Sequence, residues 1–264
     1  MDLGLQGKRA FVSGSTAGIG LAIASALAAE GASVTVNGRT QKRIDEAIAK
    51  IRATPPSASV DGVAADLASE AGAKTLAAAL PDVDILVNNL GIFEPKPFLE
   101  ISDEDWRRFF EVNVIGGVRL ARLYLPKMLE RNWGRIVFIS SESALQIPAE
   151  MIHYGTTKTA QLAVARGIAE SVAGSGVTVN SILPGPTASE GVGAFVEELA
   201  RTQDKDVKAV EADFFRDMRP SSLIKRFATA DEVASLVVYV CSERASATTG
   251  SALRVDGGVV RAIP

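Results

Sequence analysis

The chain has 264 residues but only one histidine, His153, and one cysteine, Cys241. That scarcity argues against a zinc site built from the usual His and Cys ligands, and no metal is expected. A Ser-His-Asp hydrolase would have to use His153, and the sequence has no G-x-S-x-G elbow. A lone cysteine rules out an intrachain disulfide framework and suits a reducing cytosol, which predicts a cytoplasmic protein. There is no long basic run and the net charge is −3, so nucleic acid is not an expected partner. Residues 1–8 lack the apolar core of a signal peptide, and no apolar run is long enough to cross a bilayer, so no membrane association is expected. Few side chains here do chemistry by themselves. An enzyme of this composition would leave the hard step to a cofactor.

What is present is an ordinary globular composition, 47% hydrophobic and 22% charged. Arg9-Ala10-Phe11-Val12-Ser13 reads as a buried strand. It feeds Gly14-Ser15-Thr16-Ala17-Gly18-Ile19-Gly20 and then an alanine-rich helix over residues 21–30, stopped by Gly31. Further strands are expected at 33–37, 60–65 and 83–87, with helices between them, the second of which ends at Pro55-Pro56. Ser102 caps a helix carrying Trp106, Phe109 and Phe110, which read as core or interface, and a long helix follows over 114–130. Strands at 135–139, 177–182 and 252–255 complete the rhythm, with helices reaching to about 172 and over 230–240. Continuous Val/Ile runs separated by helices imply a seven-stranded, mostly parallel, doubly wound α/β sheet covered on both faces. Length alone gives no reason to divide the chain. The charged stretch 188–228, with apolar spots at Phe195, Phe214 and Phe215, reads as an insertion covering a site rather than as a second domain.

The glycines at 14, 18 and 20 fall between a strand and a helix. There they permit a tight turn and let a pyrophosphate approach backbone N–H groups at a positive helix end. A dinucleotide site reads the adenosine ribose at the end of the second strand, where an acid marks NAD. Here the sequence is Asn37-Gly38-Arg39-Thr40, with no acid. Arg39 can pair with a 2′-phosphate, which predicts NADP(H) over NAD(H); its alternative role is a solvated cation at a helix start. Tyr154 and Lys158 are four residues apart on a helix and share a face. A nearby ammonium can stabilise a phenolate and lower a pKa that is ordinarily about 10. His153 points about 100° away around the same helix and reads as a packing or cleft-wall residue rather than a proton carrier. Cys241 reads as a buried small hydrophobe.

Taken in order, the glycine loop, Asn88-Asn89-Leu90-Gly91, Asn113, Ser141, Tyr154-x-x-x-Lys158 and Asn180-x-x-x-Pro184-Gly185 resemble the classical short-chain dehydrogenase/reductase family over nearly the whole chain. The thirteen residues from Ser141 to Tyr154 match the family's usual interval. The closest generic likeness is to 3-oxoacyl-[acyl-carrier-protein] reductase-like members. The resemblance implies one Rossmann domain over residues 1–264, and an NADP(H)-dependent enzyme that reduces a ketone or oxidises the matching secondary alcohol. It implies that Tyr154 is the general acid and base, that Lys158 holds the nicotinamide ribose and depresses the phenol's pKa, and that Ser141 orients the carbonyl. Asn113 would hold a helix distortion and a water linking Lys158 to solvent. The cofactor would lie on Gly14, Ser15, Thr16, Gly18, Ile19, Gly20 and Arg39. Asp66 and Leu67 would border the adenine, Asn89 and Gly91 the adenosine ribose, and Pro184, Gly185 and Thr187 the nicotinamide end. A homotetramer is implied, packed through segments 114–130 and 148–172.

The sequence departs from the family pattern in three places. Leu90 replaces a small alanine, Thr156-Thr157 replaces Ala-Ser, and Glu142-Ser143 stands where a glycine is common. Glu142 or Ser143 then either touches the substrate or is solvated, and Ser140 and Ser143 compete with Ser141 as the active hydroxyl. Two other readings stay open: a dinucleotide-binding sensor or scaffold without turnover, and related chemistry such as imine reduction, dehydration or epimerisation.

Overall fold

The computed structural model describes residues 1–53, 55, 57–189, 200–202 and 205–263. The first half of the chain alternates strictly: β1 Arg9–Val12, α1 Gly18–Ala29, β2 Ser33–Gly38, α2 Gln41–Arg52, β3 Val60–Ala64, α3 Glu70–Ala79 and β4 Ile85–Asn88. The second half carries α4 Asp103–Phe110, α5 Gly116–Glu130, β5 Gly134–Ile139, α6 Ile152–Ser171 and β6 Val177–Pro184. It continues with β7 Thr187–Ala188, α7 Val207–Asp213, β8 Ala228–Thr229, α8 Ala230–Cys241 and β9 Ala252–Val255.

Seven strands form one sheet in the order β3-β2-β1-β4-β5-β6-β9, and every pairing is parallel. The period-two alternation of a strand divides its side chains between the two faces. Val12, Ile85, Val87, Val137 and Ile139 enter the core under α1 and α8. Phe11, Leu86, Ile136 and Phe138 enter the core that holds Leu120, Tyr124 and Ala165 from α5 and α6. Burial on both faces is why these strands read as unbroken apolar runs. The chain reverses its direction of winding between β1 and β4, so the crevice for a ligand opens there, at the carboxyl ends of the strands.

Most strand ends shift from the sequence expectation by a residue or two, and three differences bear on the site. Helix α1 starts at Gly18, so Gly18, Ile19 and Gly20 belong to its first turn. Strand β6 runs through Pro184, which pairs with Val255 at the last rung, and Gly185 N–H still donates to the Val255 carbonyl at 3.2 Å. The helix expected from residue 114 is preceded by a π-helical turn over Glu111–Ile115, and α5 begins at Gly116. The insertion is clasped at its root, where β7 pairs with β8 in parallel, Thr187 opposite Ala228 and Ala188 opposite Thr229. Between these strands α7 runs into a second π-helical turn, Phe214–Met218. There Phe214, Phe215 and Phe227 form a ring cluster with centroids 5.1–5.2 Å apart. Phe195 lies outside the described residues. Among the described residues no helix is long and apolar enough to cross a membrane, and no His/Cys/Asp/Glu cluster could hold a metal ion.

Candidate active site

A cavity of about 290 Å³ opens at the carboxyl ends of β4, β5 and β6, and Ser189, Phe214, Met218, Arg219 and Phe227 of the insertion line part of its wall. Ser141, Tyr154, Lys158, Asn89, Gly91, Pro184, Gly185, Thr187 and Ile19 all line it. Residues spread over the chain thus meet at one opening.

The glycine loop forms one edge. Its polar side chains are spent on fixing the backbone. Ser15 Oγ donates to the Val12 carbonyl at 2.7 Å and accepts from Asn37 N–H at 2.9 Å. Asn37 accepts from Gly14 N–H and donates to the carbonyls of Val63 and Ala65. Asn89 donates to the carbonyls of Ser13 and Gly14, both at 3.0 Å. Ser15 and Asn37 are therefore framework side chains, and Ser15 faces a ligand only through its backbone. Helix α1 has no side-chain N-cap and no acidic residue in its first turn. Its leading N–H groups and positive dipole end are left for an anion. Gly20 shows how close the parts lie: a Cβ there would stand 2.5 Å from Asn89 Nδ2 and from the Gly14 carbonyl oxygen. This bare, uncapped turn fits a dinucleotide pyrophosphate.

Further along that edge, Arg39 is exposed just past β2. It makes no ion pair among the described residues. Asp66 is exposed past the end of β3, while Leu67 turns its side chain into the core. Leu90 packs beneath the loop, its Cδ1 3.5 Å from where a Gly14 Cβ would lie.

The other edge is built by β5 and α6. Asn113 sits in the middle of the π-helical turn, a distortion often found at functional sites. Its amide accepts from Ile92 N–H and donates to the Ile92 carbonyl and to Thr157 Oγ1. Thr157, which stands in place of the usual serine, thus ties α6 to that turn. Lys158 Nζ donates to the Ile139 carbonyl at 2.9 Å and to Gln161 Oε1 at 3.3 Å. Gln161 in turn donates to the Asn113 carbonyl. The Gln161 amide therefore links Lys158 to the Asn113 carbonyl. Gln161 carried no sequence signal beyond lying one turn past Lys158.

The three serines separate by their partners. Ser140 Oγ donates to the Lys158 carbonyl at 2.9 Å, anchoring α6. Ser143 Oγ donates to Glu142. Ser141 is the one of the three that acts on the Tyr154 phenol, opposing the rise in its pKa. Glu142 is buried rather than solvated, 4% exposed. It accepts from Ser141 Oγ and, at 2.7 Å, from Ser143 N–H. Arg219, which comes from the insertion, donates to Glu142 at 3.1 Å and to Glu150 at 3.1 Å. Arg219, Glu150, Met151, Phe93 and Phe227 also line the cavity, and sequence reasoning did not single them out. Phe214 lines it too, whereas Phe215 lies behind, 2% exposed in the ring cluster.

Burial pushes the Tyr154 phenol above its ordinary range; the Ser141 hydrogen bond opposes this, and the Glu142 carboxylate adds to it. Burial pulls Lys158 down to about 8. Nζ lies 5.7 Å from the ring centroid and is turned toward Ile139 and Gln161, so desolvation dominates. His153 is fully buried, its ring centroid 4.0 Å from that of Phe109, and burial lowers its pKa. It packs as a neutral imidazole outside the cavity. Burial pushes the Cys241 thiol up to about 12.

Comparisons with known proteins agree with this geometry. The short chain dehydrogenase family profile matches residues 8–200. An uncharacterized oxidoreductase of Bacillus subtilis (strain 168), YvaG, is 47% identical over 263 residues, covering 100% of both chains. The 3-oxoacyl-[acyl-carrier-protein] reductase FabG of Aquifex aeolicus (strain VF5) is 33% identical, covering 98% of this chain and 100% of that one. L-Sorbose reductase from Gluconobacter frateurii, solved with NADPH and L-sorbose, is 34% identical with a TM-score of 0.93, covering 100% of both chains. The chain belongs to the short-chain dehydrogenase/reductase family and is an oxidoreductase acting on the CH–OH group of donors.

Proposed function

We propose that this protein reduces a ketone with NADPH, or oxidises the matching secondary alcohol with NADP⁺. One observation carries the reading: Ser141, Tyr154 and Lys158 converge on a cavity whose rim is an uncapped glycine-loop helix. The bound nicotinamide supplies the hydride. The chain's own residues position the reactants and deliver the proton. Tyr154 holds its proton on Oη beside Ser141, and its raised pKa keeps it in the acid form that reduction needs. Ser141 orients the carbonyl oxygen toward that phenol. Lys158, held by Ile139 and Gln161, lines the same cavity and serves the nicotinamide ribose. Gly14, Ser15, Thr16, Gly18, Ile19 and Gly20 take the pyrophosphate, and Asp66, Leu67, Asn89 and Gly91 flank the adenosine. Pro184, Gly185 and Thr187 receive the nicotinamide end.

Preference for the phosphorylated cofactor rests on Arg39, an exposed guanidinium past β2 where no acid stands. The NADPH-bound relative supports the same assignment. The segment 188–228 acts as a lid on a single Rossmann domain. A cytoplasmic homotetramer packed through α5 and α6 completes the reading, with exposed Ile115 and Leu129 at the ends of α5 and its preceding turn.

The test follows reduced-nicotinamide absorbance with a panel of ketones, alongside cofactor titrations of the wild type and Arg39→Ala. Turnover with NADPH is expected. Losing a charge-assisted contact of about 1.5–3 kcal/mol would weaken NADPH roughly tenfold to a hundredfold and leave NADH unchanged. Equal affinity for NADH in the wild type and no effect of the substitution would overturn the cofactor assignment.

A further inference from the structure

The cavity wall beside Ser141 is charged, while the facing walls are apolar. Glu142 Oε2 collects three donors: Ser141 Oγ, Ser143 N–H at 2.7 Å and Ser143 Oγ at 3.1 Å. Glu142 Oε1 takes only Arg219 Nε, at 3.1 Å. Arg219, 9% exposed, also donates to Glu150 Oε1 at 3.1 Å and to the Met218 carbonyl. Among the described residues, Glu150 Oε2 accepts no hydrogen bond, and its side chain is 32% exposed. Two carboxylates thus share one guanidinium. The only other cation lining the cavity among the described residues is Lys158, turned to Ile139 and Gln161.

From this arrangement we infer that Glu142 and Glu150 are specificity residues that select a polyhydroxy ketone, with a hydroxyl on the carbon next to the carbonyl. The inference rests on the reductase reading of the same site. A carboxylate only accepts hydrogen bonds, so these two groups recruit donors and disfavour an anionic substrate. A serine hydroxyl has one proton. Ser141 gives that proton to Glu142 and accepts from Ser143 N–H at 3.1 Å. A substrate hydroxyl donating to Glu142 takes over as its donor and frees the Ser141 proton for the adjacent carbonyl. A plain ketone has no such donor and leaves Ser141 engaged. Glu150 lies on the far side of Arg219 and receives a second hydroxyl further along the chain. The Arg219 bridge carries this reading from the lid to the reacting centre.

Matched pairs test it: hydroxyacetone against acetone and erythrulose against butanone, with acetoacetate as the anionic probe. Each is assayed with NADPH and with NADH. Wild-type kcat/KM is expected to favour each hydroxylated member by about tenfold or more, since a site built to bond a hydroxyl rejects the analogue lacking it. Glu142→Gln should collapse the ratio for both pairs toward one. Glu150→Gln, at a partly exposed position, should lower the erythrulose ratio and spare that for hydroxyacetone. Calorimetric titration of the cofactor-loaded protein reads the same preference without turnover. Binding of erythrulose over butanone with no hydride transfer upholds the assignment and overturns the reductase reading. Equal turnover and binding within each pair, or preference for acetoacetate, overturns the assignment alone.

Discussion

On the β1–β4 side of the cleft, polar side chains bond to the framework; on the β5–β6 side, they face the cavity. Ser15, Asn37 and Asn89 close on the carbonyls and N–H groups of the glycine turn, and what that turn leaves for a ligand is backbone. Across the cleft, Ser141, Glu142, Tyr154 and Lys158 are all buried or nearly so, and each lines the cavity. The first arrangement serves a constant partner, because backbone N–H groups and a helix dipole recognise phosphate whatever else is attached. The second serves chemistry and choice, because side-chain identity sets pKa and hydrogen-bond polarity. If this contrast holds, changes in the glycine turn alter cofactor affinity and changes at Ser141, Glu142 or Tyr154 alter turnover, with little crossing over.

The largest effect should come from Tyr154→Phe. The ring is retained and only the phenolic oxygen is lost, so the packing against Phe93 at 6.4 Å survives. General acid catalysis is worth about 10²–10⁴-fold, and kcat should fall by that order. NADPH affinity by fluorescence titration should stay within about twofold, because the phosphate-binding edge is untouched. A parallel loss of cofactor affinity would erase the contrast between the two sides, and full activity would sink the proton-transfer role.

Much of the first side could be read in the sequence because its signals are local. The strands are buried on both faces and so read as continuous Val/Ile runs, and the glycines mark the turn within seven residues. The second side was only partly legible. Tyr154 and Lys158 are one turn apart, so helical spacing found them. Arg219 reaches Glu142 across 77 positions, a pairing that no local pattern announces. Glu142 could equally have been solvated, and only its burial against Arg219 decides otherwise. The upward shift of the phenol also depended on burial that spacing cannot report. The direction of the Ser15 and Leu67 side chains, one bonded to the loop and one buried in the core, was not legible either, since it is set by packing rather than by the motif.

An intermediate effect is expected on the opposite edge, from Gly20→Ala. The added methyl would meet Asn89 Nδ2 and the Gly14 carbonyl at 2.5 Å, and the carbonyl is backbone that cannot swing away. Overpacking of this kind costs about 1–3 kcal/mol. If the turn opens to relieve it, the cost appears as NADPH affinity weakened roughly tenfold to a hundredfold, with kcat at saturating cofactor largely kept. Thermal melts without cofactor distinguish the alternative: a large fall in Tm with unchanged affinity would make Gly20 a packing position and not part of the phosphate cradle.

The smallest effect is expected at the lid, from Phe227→Ala. Phe227 is partly exposed, lines the cavity and packs on Phe214 and Phe215 with centroids 5.2 and 5.1 Å away. Its phenylalanine neighbours remain to cover most of the apolar wall. Losing about 40 Å² of contact with substrate costs ~1 kcal/mol, or about fivefold in KM. NADPH affinity should not change, because the ring lies on the substrate wall, away from the glycine loop. A KM effect without a cofactor effect assigns the lid to substrate alone. Matching losses in both would mean that the lid closes over the cofactor as well, and the separation of the two sides of the cleft would then stop at the insertion.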